Sequence, residues 1–180
     1  QRLQARLVNY ADDFVMLCRR TGHRAYLAMR EMMQRLKLTV NETKTKRCRV
    51  PAETFDFLGY TFGRCYSPKT GRAFIGTRPA QKKIRKLCES ISEATSPRMR
   101  LLDAEEVVGR LNRKLRGWSN YFKVGPVSKA YAAVDRHVTY RLRRWLCKKH
   151  KTPGAGFTRY PDKYLYQEFG LVRLLGIKRN

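Results

Sequence analysis

The spacing of the apolar residues changes near residue 77, and this change constrains the fold more than any other feature of the sequence. Before it, apolar residues often alternate with polar ones, which is typical of β-strands. After it, they recur every three or four residues, which is typical of amphipathic helices. The pattern therefore predicts an α+β fold in two parts, residues 1–76 and residues 77–180.

Two neighbouring acids stand inside an apolar run near the start of the chain. Asp12 and Asp13 are flanked on both sides by β-branched and aromatic residues, in the stretch LVNYADDFVMLC. Such flanks favour strands, so the simplest local structure is a hairpin with Ala11, Asp12 and Asp13 near its turn. Asp is also an ordinary turn residue, and on this observation alone that explanation stays open.

The rest of the first part is predicted to contain one helix and further strands. An amphipathic helix is expected over residues 24–38, followed by a polar turn and a short strand before residue 51. The stretch TFDFLGYTFGRCYS predicts another strand or hairpin around Gly59, and RAFIG predicts a returning strand.

The second part is predicted to be a small bundle of three helices, because short links join three amphipathic stretches. Pro79 is expected in the first turn of the first helix, Asp103 and Glu106 resemble a capping box for the second, and Ser128 is expected to cap the third. Beyond Lys151 an irregular tail rich in Pro, Gly and aromatic residues is expected. The three helical stretches are residues 78–94, 102–122 and 128–150.

The charge of the chain indicates what it binds. Lys and Arg number 40 against 14 Asp and Glu, which gives a formal net charge of +26. A surface this positive favours a polyanion as partner, and no apolar run approaches the length needed to span a bilayer. Nucleic acid is therefore a better expected partner than a membrane. The five cysteines form no CxxC pair, so the sequence supports neither a zinc site nor a disulfide framework.

The basic residues of the helical part are candidates for contact with RNA phosphates, because acids seldom alternate with them. Four aromatic residues, Trp118, Tyr121, Phe122 and Trp145, are expected in the bundle core rather than as stacking platforms for bases. The candidate RNA-binding residues are Arg78, Lys82, Lys83, Lys86, Arg136, Arg143, Arg144 and Lys148.

The paired carboxylates suggest a site for Mg²⁺. Oxygen ligands from one or two carboxylates, completed by water and by substrate phosphates, are what this ion commonly takes in phosphoryl-transfer sites. An ion bound there would also remove the repulsion between Asp12 and Asp13. Both residues are therefore predicted metal ligands.

Several motifs together resemble one enzyme family. YADD matches the Tyr-x-Asp-Asp signature of reverse transcriptases, and KLTVNETKTK and FDFLGYTF resemble the successive palm blocks of group II intron reverse transcriptases. LRGWSNYF and RLRRWLCKKH are similar to the maturase-specific thumb of that family. The resemblance implies a partial polymerase palm over 1–76 and a thumb, or maturase-specific (X) domain, over 77–180.

The resemblance also implies roles for individual residues. Asp12 would bind the catalytic Mg²⁺, Asp13 would be a weaker or more distant partner, and Lys44 would approach the incoming triphosphate and act as a catalytic residue. Six residues would contact primer and template, and they are Tyr10, Ala11, Phe57, Leu58, Gly59 and Tyr60. Family enzymes supply a further metal-binding aspartate from an earlier strand, so we expect these 180 residues to be catalytically incomplete alone.

The function implied is RNA-directed DNA polymerisation combined with maturase activity in splicing and retrohoming. The implied partners are group II intron RNA, an RNA template, a DNA primer and dNTP, without a membrane, and a homodimer stays open. The implied location is the bacterial cytoplasm, or an organelle in a eukaryote. Two alternatives are a maturase-like RNA-binding factor that does not polymerise and a basic structural RNA-binding protein in which YADD is only a turn.

Overall fold

The structure is a computed structural model that describes residues 4–19, 22–67 and 69–177. These residues form five strands in two antiparallel sheets, five α-helices and two short 3-10 turns. The mixture confirms the α+β class. Among the helices described, none is both long and apolar enough to cross a membrane.

The first sheet is the predicted hairpin. Strands β1 (Ala5–Tyr10) and β2 (Asp13–Cys18) pair antiparallel, with Tyr10 opposite Asp13, so the turn consists of Ala11 and Asp12. The following helix, α1 (His23–Arg35), confirms the predicted helix and buries Ala25 and Met29.

The second sheet has three strands in the order β3 (Phe55–Phe57), β4 (Tyr60–Tyr66) and β5 (Ala73–Pro79). It confirms the predicted hairpin around Gly59 and the returning strand. The short strand expected before residue 51 is wrong, since residues 38–50 contain no strand. This segment folds back on itself, and Asn41 accepts the backbone N–H groups of Lys44 and Thr45 through its carbonyl oxygen.

Three helices pack into the predicted bundle: α2 (Gln81–Ala94), α3 (Ala104–Tyr121) and α4 (Ser128–Lys149). A 3-10 turn at Pro97–Leu101 links the first two. The expected apolar faces are confirmed, because one residue from each turn of these helices lies in the core. The fully buried members include Ile91, Val107, Leu111, Leu115, Val134, Val138 and Leu142.

Three details at the helix ends differ from the sequence predictions. Pro79 ends β5, and α2 begins two residues later at Gln81. Asp103 does stand at the N-cap of α3, but its side chain makes no capping hydrogen bond. Glu106 instead accepts a hydrogen bond from Arg110 one turn ahead, at 2.7 Å, so the capping box does not form. Ser128 is the first residue of α4, and Val127 occupies the cap.

The tail packs against α4 and is fastened by a buried acid. It contains α5 (Asp162–Gln167) and a 3-10 turn at Leu174–Gly176. Asp135 of α4 accepts the backbone N–H groups of Leu174 at 2.9 Å and Leu175 at 3.1 Å. Burial raises the pKa of the Asp135 carboxyl, although both hydrogen bonds oppose that change. Burial, reinforced by the nearby Asp135 and Asp162 charges, also raises the pKa of Tyr166 to about 12.

Gly125 joins the loop before α4 to the second sheet, and no other residue fits there. Its φ is +80°, and a Cβ at this position would overlap the carbonyl oxygen of Thr77. We expect Gly125→Ala to lower the free energy of unfolding by about 2–4 kcal/mol, from the left-handed backbone and the overlap together. Urea unfolding measures this change.

The matched control is Gly117→Ala within α3. A Cβ at Gly117 meets no atom within 4 Å, so this change should raise stability by up to about 1 kcal/mol. Equal effects of the two substitutions would contradict the close approach of the loop to β5.

Candidate metal and RNA-binding sites

The carboxylates of Asp12 and Asp13 stand at the tip of the first hairpin and are exposed. Asp12 is the second residue of the two-residue turn, and Asp13 is the first residue of β2. Neither takes part in an ion pair, since those found in the described chain use Glu31, Glu42, Glu106 and Asp162. Among the described residues, no guanidinium group therefore neutralises their oxygens, which are exposed to a cation.

The backbone of this turn is strained at Ala11. Its φ is +50°, a left-handed conformation that costs a residue with a Cβ about 1–2 kcal/mol. Residues held in this region often belong to sites that require a particular backbone path. The small side chain of Ala11 and the 62% exposed Tyr10 leave the hairpin tip open to a large ligand.

The donor set at the tip fits Mg²⁺ only with help from other ligands. Within the described ranges, no group of three or more His, Cys, Asp or Glu side chains could hold a metal ion. Two carboxylates suit Mg²⁺ because this ion keeps several waters and takes oxygens from substrate phosphates. The tip therefore matches a site completed by a ligand and does not match a closed structural metal site.

Lys44 lies on an exposed turn between α1 and β3. Its backbone N–H donates to both the carbonyl oxygen and the Oδ1 atom of Asn41, each at 3.2 Å. Thr43 and Thr45 also donate hydroxyl hydrogen bonds to Asn41. These local bonds fix the turn and leave the ammonium group of Lys44 in solvent.

The predicted primer-binding turn packs against the bundle. Leu58 and Gly59 form the two-residue turn between β3 and β4, with φ of +50° and +79°. The Leu58 carbonyl accepts a hydrogen bond from the Tyr121 hydroxyl at 2.7 Å, and the Gly59 carbonyl accepts one from the Ala80 N–H at 2.9 Å. The Tyr60 hydroxyl donates to the Tyr121 carbonyl at 2.6 Å. The turn is thereby held rigidly at the end of α3.

An aromatic cluster completes this junction. The ring of Phe122 lies 5.1 Å from that of Tyr60 and 4.8 Å from that of Trp118, which in turn lies 5.8 Å from Tyr131. Burial raises the pKa of Tyr60. Phe122 and Trp145 are buried and Trp118 packs against the core, which confirms the core assignment for these three rings. Tyr121 differs, since it is 54% exposed.

Most of the predicted RNA-binding residues lie on exposed faces of the helices. Lys82, Lys83 and Lys86 are exposed on α2, whereas Leu87 and Ile91 of the same helix are buried. On α4 the exposed members are Arg136, Arg144 and Lys148. Arg78 is half-buried on β5 and donates a hydrogen bond to the Arg64 carbonyl at 3.4 Å.

Arg143 corrects the sequence prediction, because it is only 3% exposed and lies away from the basic surface. Its guanidinium donates to the Tyr160 carbonyl at 2.8 Å, forms an ion pair with Asp162 and lies 4.3 Å from the ring centre of Phe157. The tail packs on this side of α4, whereas the adjacent Arg144 points to solvent because successive residues of a helix face different directions. Arg143 is a structural residue that fastens the tail.

Two comparisons with known proteins bear on the helical part. Residues 84–165 match the family model for the group II intron, maturase-specific domain. This match covers most of the bundle and the start of the tail. No curated protein matches the chain significantly.

Proposed function

We propose, from the match of residues 84–165 to the model of the group II intron maturase-specific domain, that the protein binds group II intron RNA during splicing and also serves RNA-directed DNA polymerisation. The domain itself implies maturase function in intron splicing. The observation that supports the polymerase part is the pair of exposed carboxylates at a hairpin tip in the sequence YADD, neither of which forms an ion pair with another described residue.

The RNA-binding part is supported by charge. The chain has a net charge of +26. Some of its described acids are engaged in ion pairs, whereas many Lys and Arg side chains of the helices are exposed. Phosphate groups are the partners that neutralise such a surface, and neutralisation releases counterions. Group II intron RNA is the polyanion that the maturase-specific domain indicates.

The polymerase part assigns roles to the palm residues. Asp12 would be the main ligand of a Mg²⁺ ion, with Asp13 beside it, and the bound ion would stabilise charge on the transferring phosphoryl group. Lys44 would bring a positive charge to the triphosphate of a dNTP. Tyr10 and Ala11 would lie under the end of the DNA primer on its RNA template. The turn formed by Phe57, Leu58, Gly59 and Tyr60 would support the primer strand.

A second candidate function is a maturase that binds intron RNA without polymerising. It is favoured by one observation, namely that the family match covers residues 84–165 and does not include the hairpin acids. The two candidates share the RNA-binding surface and differ only in the use of the hairpin acids. Substitution of Asp12 distinguishes them.

RNA affinity is expected to fall steeply with salt. Without Arg143, seven of the predicted RNA-binding residues are left, and all seven are exposed or half-buried. The slope of log affinity against log salt should therefore be roughly −3 to −5 for single-stranded RNA. Filter binding or fluorescence anisotropy across a salt series measures this slope. The triple change of Lys82, Lys83 and Lys86 to Gln should reduce its magnitude by about 2, because three phosphate contacts are lost.

The control replaces the same three lysines with Arg, which keeps the charge and should leave the slope nearly unchanged. An affinity that stays flat across the salt series would contradict phosphate binding by these helices.

A further inference from the structure

A small cavity lies between the end of α2, the 3-10 turn Pro97–Leu101 and the second half of α4. Its volume is about 170 Å³. Arg141, Arg144, Trp145 and Lys148 lie on one face of α4 because they are spaced by three, four and seven residues. Across from them, Thr95 and Arg100 complete the polar lining.

The cavity concentrates positive charge that no acid neutralises. Four of its lining residues are cations, and no described lining residue is acidic. The ion pairs of the described chain involve none of these four residues. Like charges three and four residues apart on a helix repel one another. The helix dipole accounts for Lys148 in the last turn of α4, but it acts only within that turn and leaves Arg141 and Arg144 unexplained.

Neutral groups hold the guanidinium groups in place. Arg141 donates to Thr95 Oγ1 at 3.1 Å and to the Ser92 carbonyl at 2.9 Å. Arg144 donates to the Tyr140 hydroxyl at 2.7 Å, and Arg100 donates to the Pro97 carbonyl at 3.1 Å. These bonds orient the side chains and leave their charge uncompensated. Arginines fixed in this way are preorganised for an anion.

Trp145 places an aromatic ring at the wall of the cavity. It lines the cavity, and it is only 2% exposed because it also packs in the core of the bundle. Its indole N–H is buried without a hydrogen-bond partner, as is that of Trp118, so this N–H is not itself offered to a ligand. The Trp145 ring shares the cavity wall with the guanidinium groups and can therefore report a ligand bound among them.

We infer that this cavity binds a single phosphate group through the guanidinium groups of Arg141 and Arg144. A phosphate diester presents negatively charged oxygens that the planar guanidinium fork matches. The inference rests on the proposed function, because the backbone of bound RNA would supply the phosphate group. It differs from general attraction to the basic surface because it requires a defined geometry as well as charge.

The indole signals of the protein test the site directly. The chain has two tryptophans, and Trp118 provides an internal control because its indole N–H is also buried without a partner but does not line the cavity. In ¹⁵N-labelled full chain, titration with inorganic phosphate and, separately, with a short single-stranded RNA should shift the Trp145 indole N–H signal saturably. The Trp118 signal should stay in place.

Each outcome decides something. A shift of Trp145 with both ligands supports a phosphate site used by RNA, and a shift with inorganic phosphate alone overturns RNA as the source. No shift of Trp145, or equal shifts of both indoles, overturns the site. RNA affinity with a steep salt slope would persist in that last case, so failure of the site is distinguishable from failure of the proposed function.

Charge-preserving substitution provides a second test. Arg144→Lys keeps the charge but loses the planar fork, and we expect it to weaken RNA binding by about fivefold or more and to reduce the shift of the Trp145 signal. The control is Arg98→Lys, an exposed arginine in the same 3-10 turn as Arg100 that does not line the cavity. Equal affinities of the two variants would overturn the defined geometry, and thermal unfolding checks that both remain folded.

Discussion

Asp12→Ala is expected to abolish Mg²⁺-dependent primer extension while leaving RNA affinity within about twofold. Asp12 occupies the apex of the first hairpin, exposed and without an ion-pair partner in the described structure, so its loss removes the main proposed metal ligand. We expect extension to fall by at least about a thousandfold, which corresponds to roughly 4 kcal/mol of transition-state stabilisation. Primer extension by the complete natural polypeptide on an RNA template measures this loss.

The controls separate the metal role from charge and folding. Asp12→Asn keeps the shape and should lose nearly as much activity, whereas Asp13→Ala should lose less. Glu31→Gln removes an exposed acid on α1 that pairs with Arg35 and should leave extension unchanged. Extension that survives Asp12→Ala would overturn the metal assignment and favour the maturase that does not polymerise.

Local sequence patterns predicted those elements whose stability depends on neighbours close in the chain. The apolar flanks of Asp12 and Asp13 specified both strands of the first hairpin, because strand pairing across a two-residue turn is a local event. The helical stripes through Ile91, Leu111 and Val138 identified the buried faces of the bundle for the same reason.

Errors occurred where competing local bonds decided the structure. Residues 38–50 carry β-branched residues, yet Asn41 and its threonine neighbours satisfy one another in a turn and no strand forms. Glu106 could have closed a capping box with Asp103, but the ion pair with Arg110 uses the same carboxylate. Composition does not reveal which of two available partners a side chain takes.

Long-range contacts were the part of the sites that the sequence did not reveal. The attachment of the Leu58–Gly59 turn to Tyr121 joins residues 63 apart, and Asp135 fastens amides 39 and 40 residues away. The single signal for Asp135 was an acid inside a basic helix, which is equally compatible with an exposed ion pair. The placement of Asp12 at a turn tip was predicted, but its role as a metal ligand stays a prediction.

Arg143→Met is expected to lower the free energy of unfolding by about 2–4 kcal/mol without a specific loss of RNA affinity. The substitution keeps most of the side-chain volume but removes the donor to the buried Tyr160 carbonyl, the pair with Asp162 and the cation over Phe157. An unpaired buried acceptor accounts for about 1–3 kcal/mol of the expected loss. Urea unfolding measures the change, and RNA affinity is measured under conditions in which the variant is fully folded.

The adjacent Arg144 is the matched control, because it lies on the same helix and is exposed. Arg144→Met should change stability by no more than about 0.5 kcal/mol but should weaken RNA binding, which is the reverse of the pattern at Arg143. If Arg143→Met instead weakened RNA binding and left stability intact, Arg143 would belong to the basic surface and the packing of the tail on α4 would be wrong. The two neighbouring arginines are thus expected to have different roles: Arg143 stabilises the packing of the tail, and Arg144 contacts phosphate.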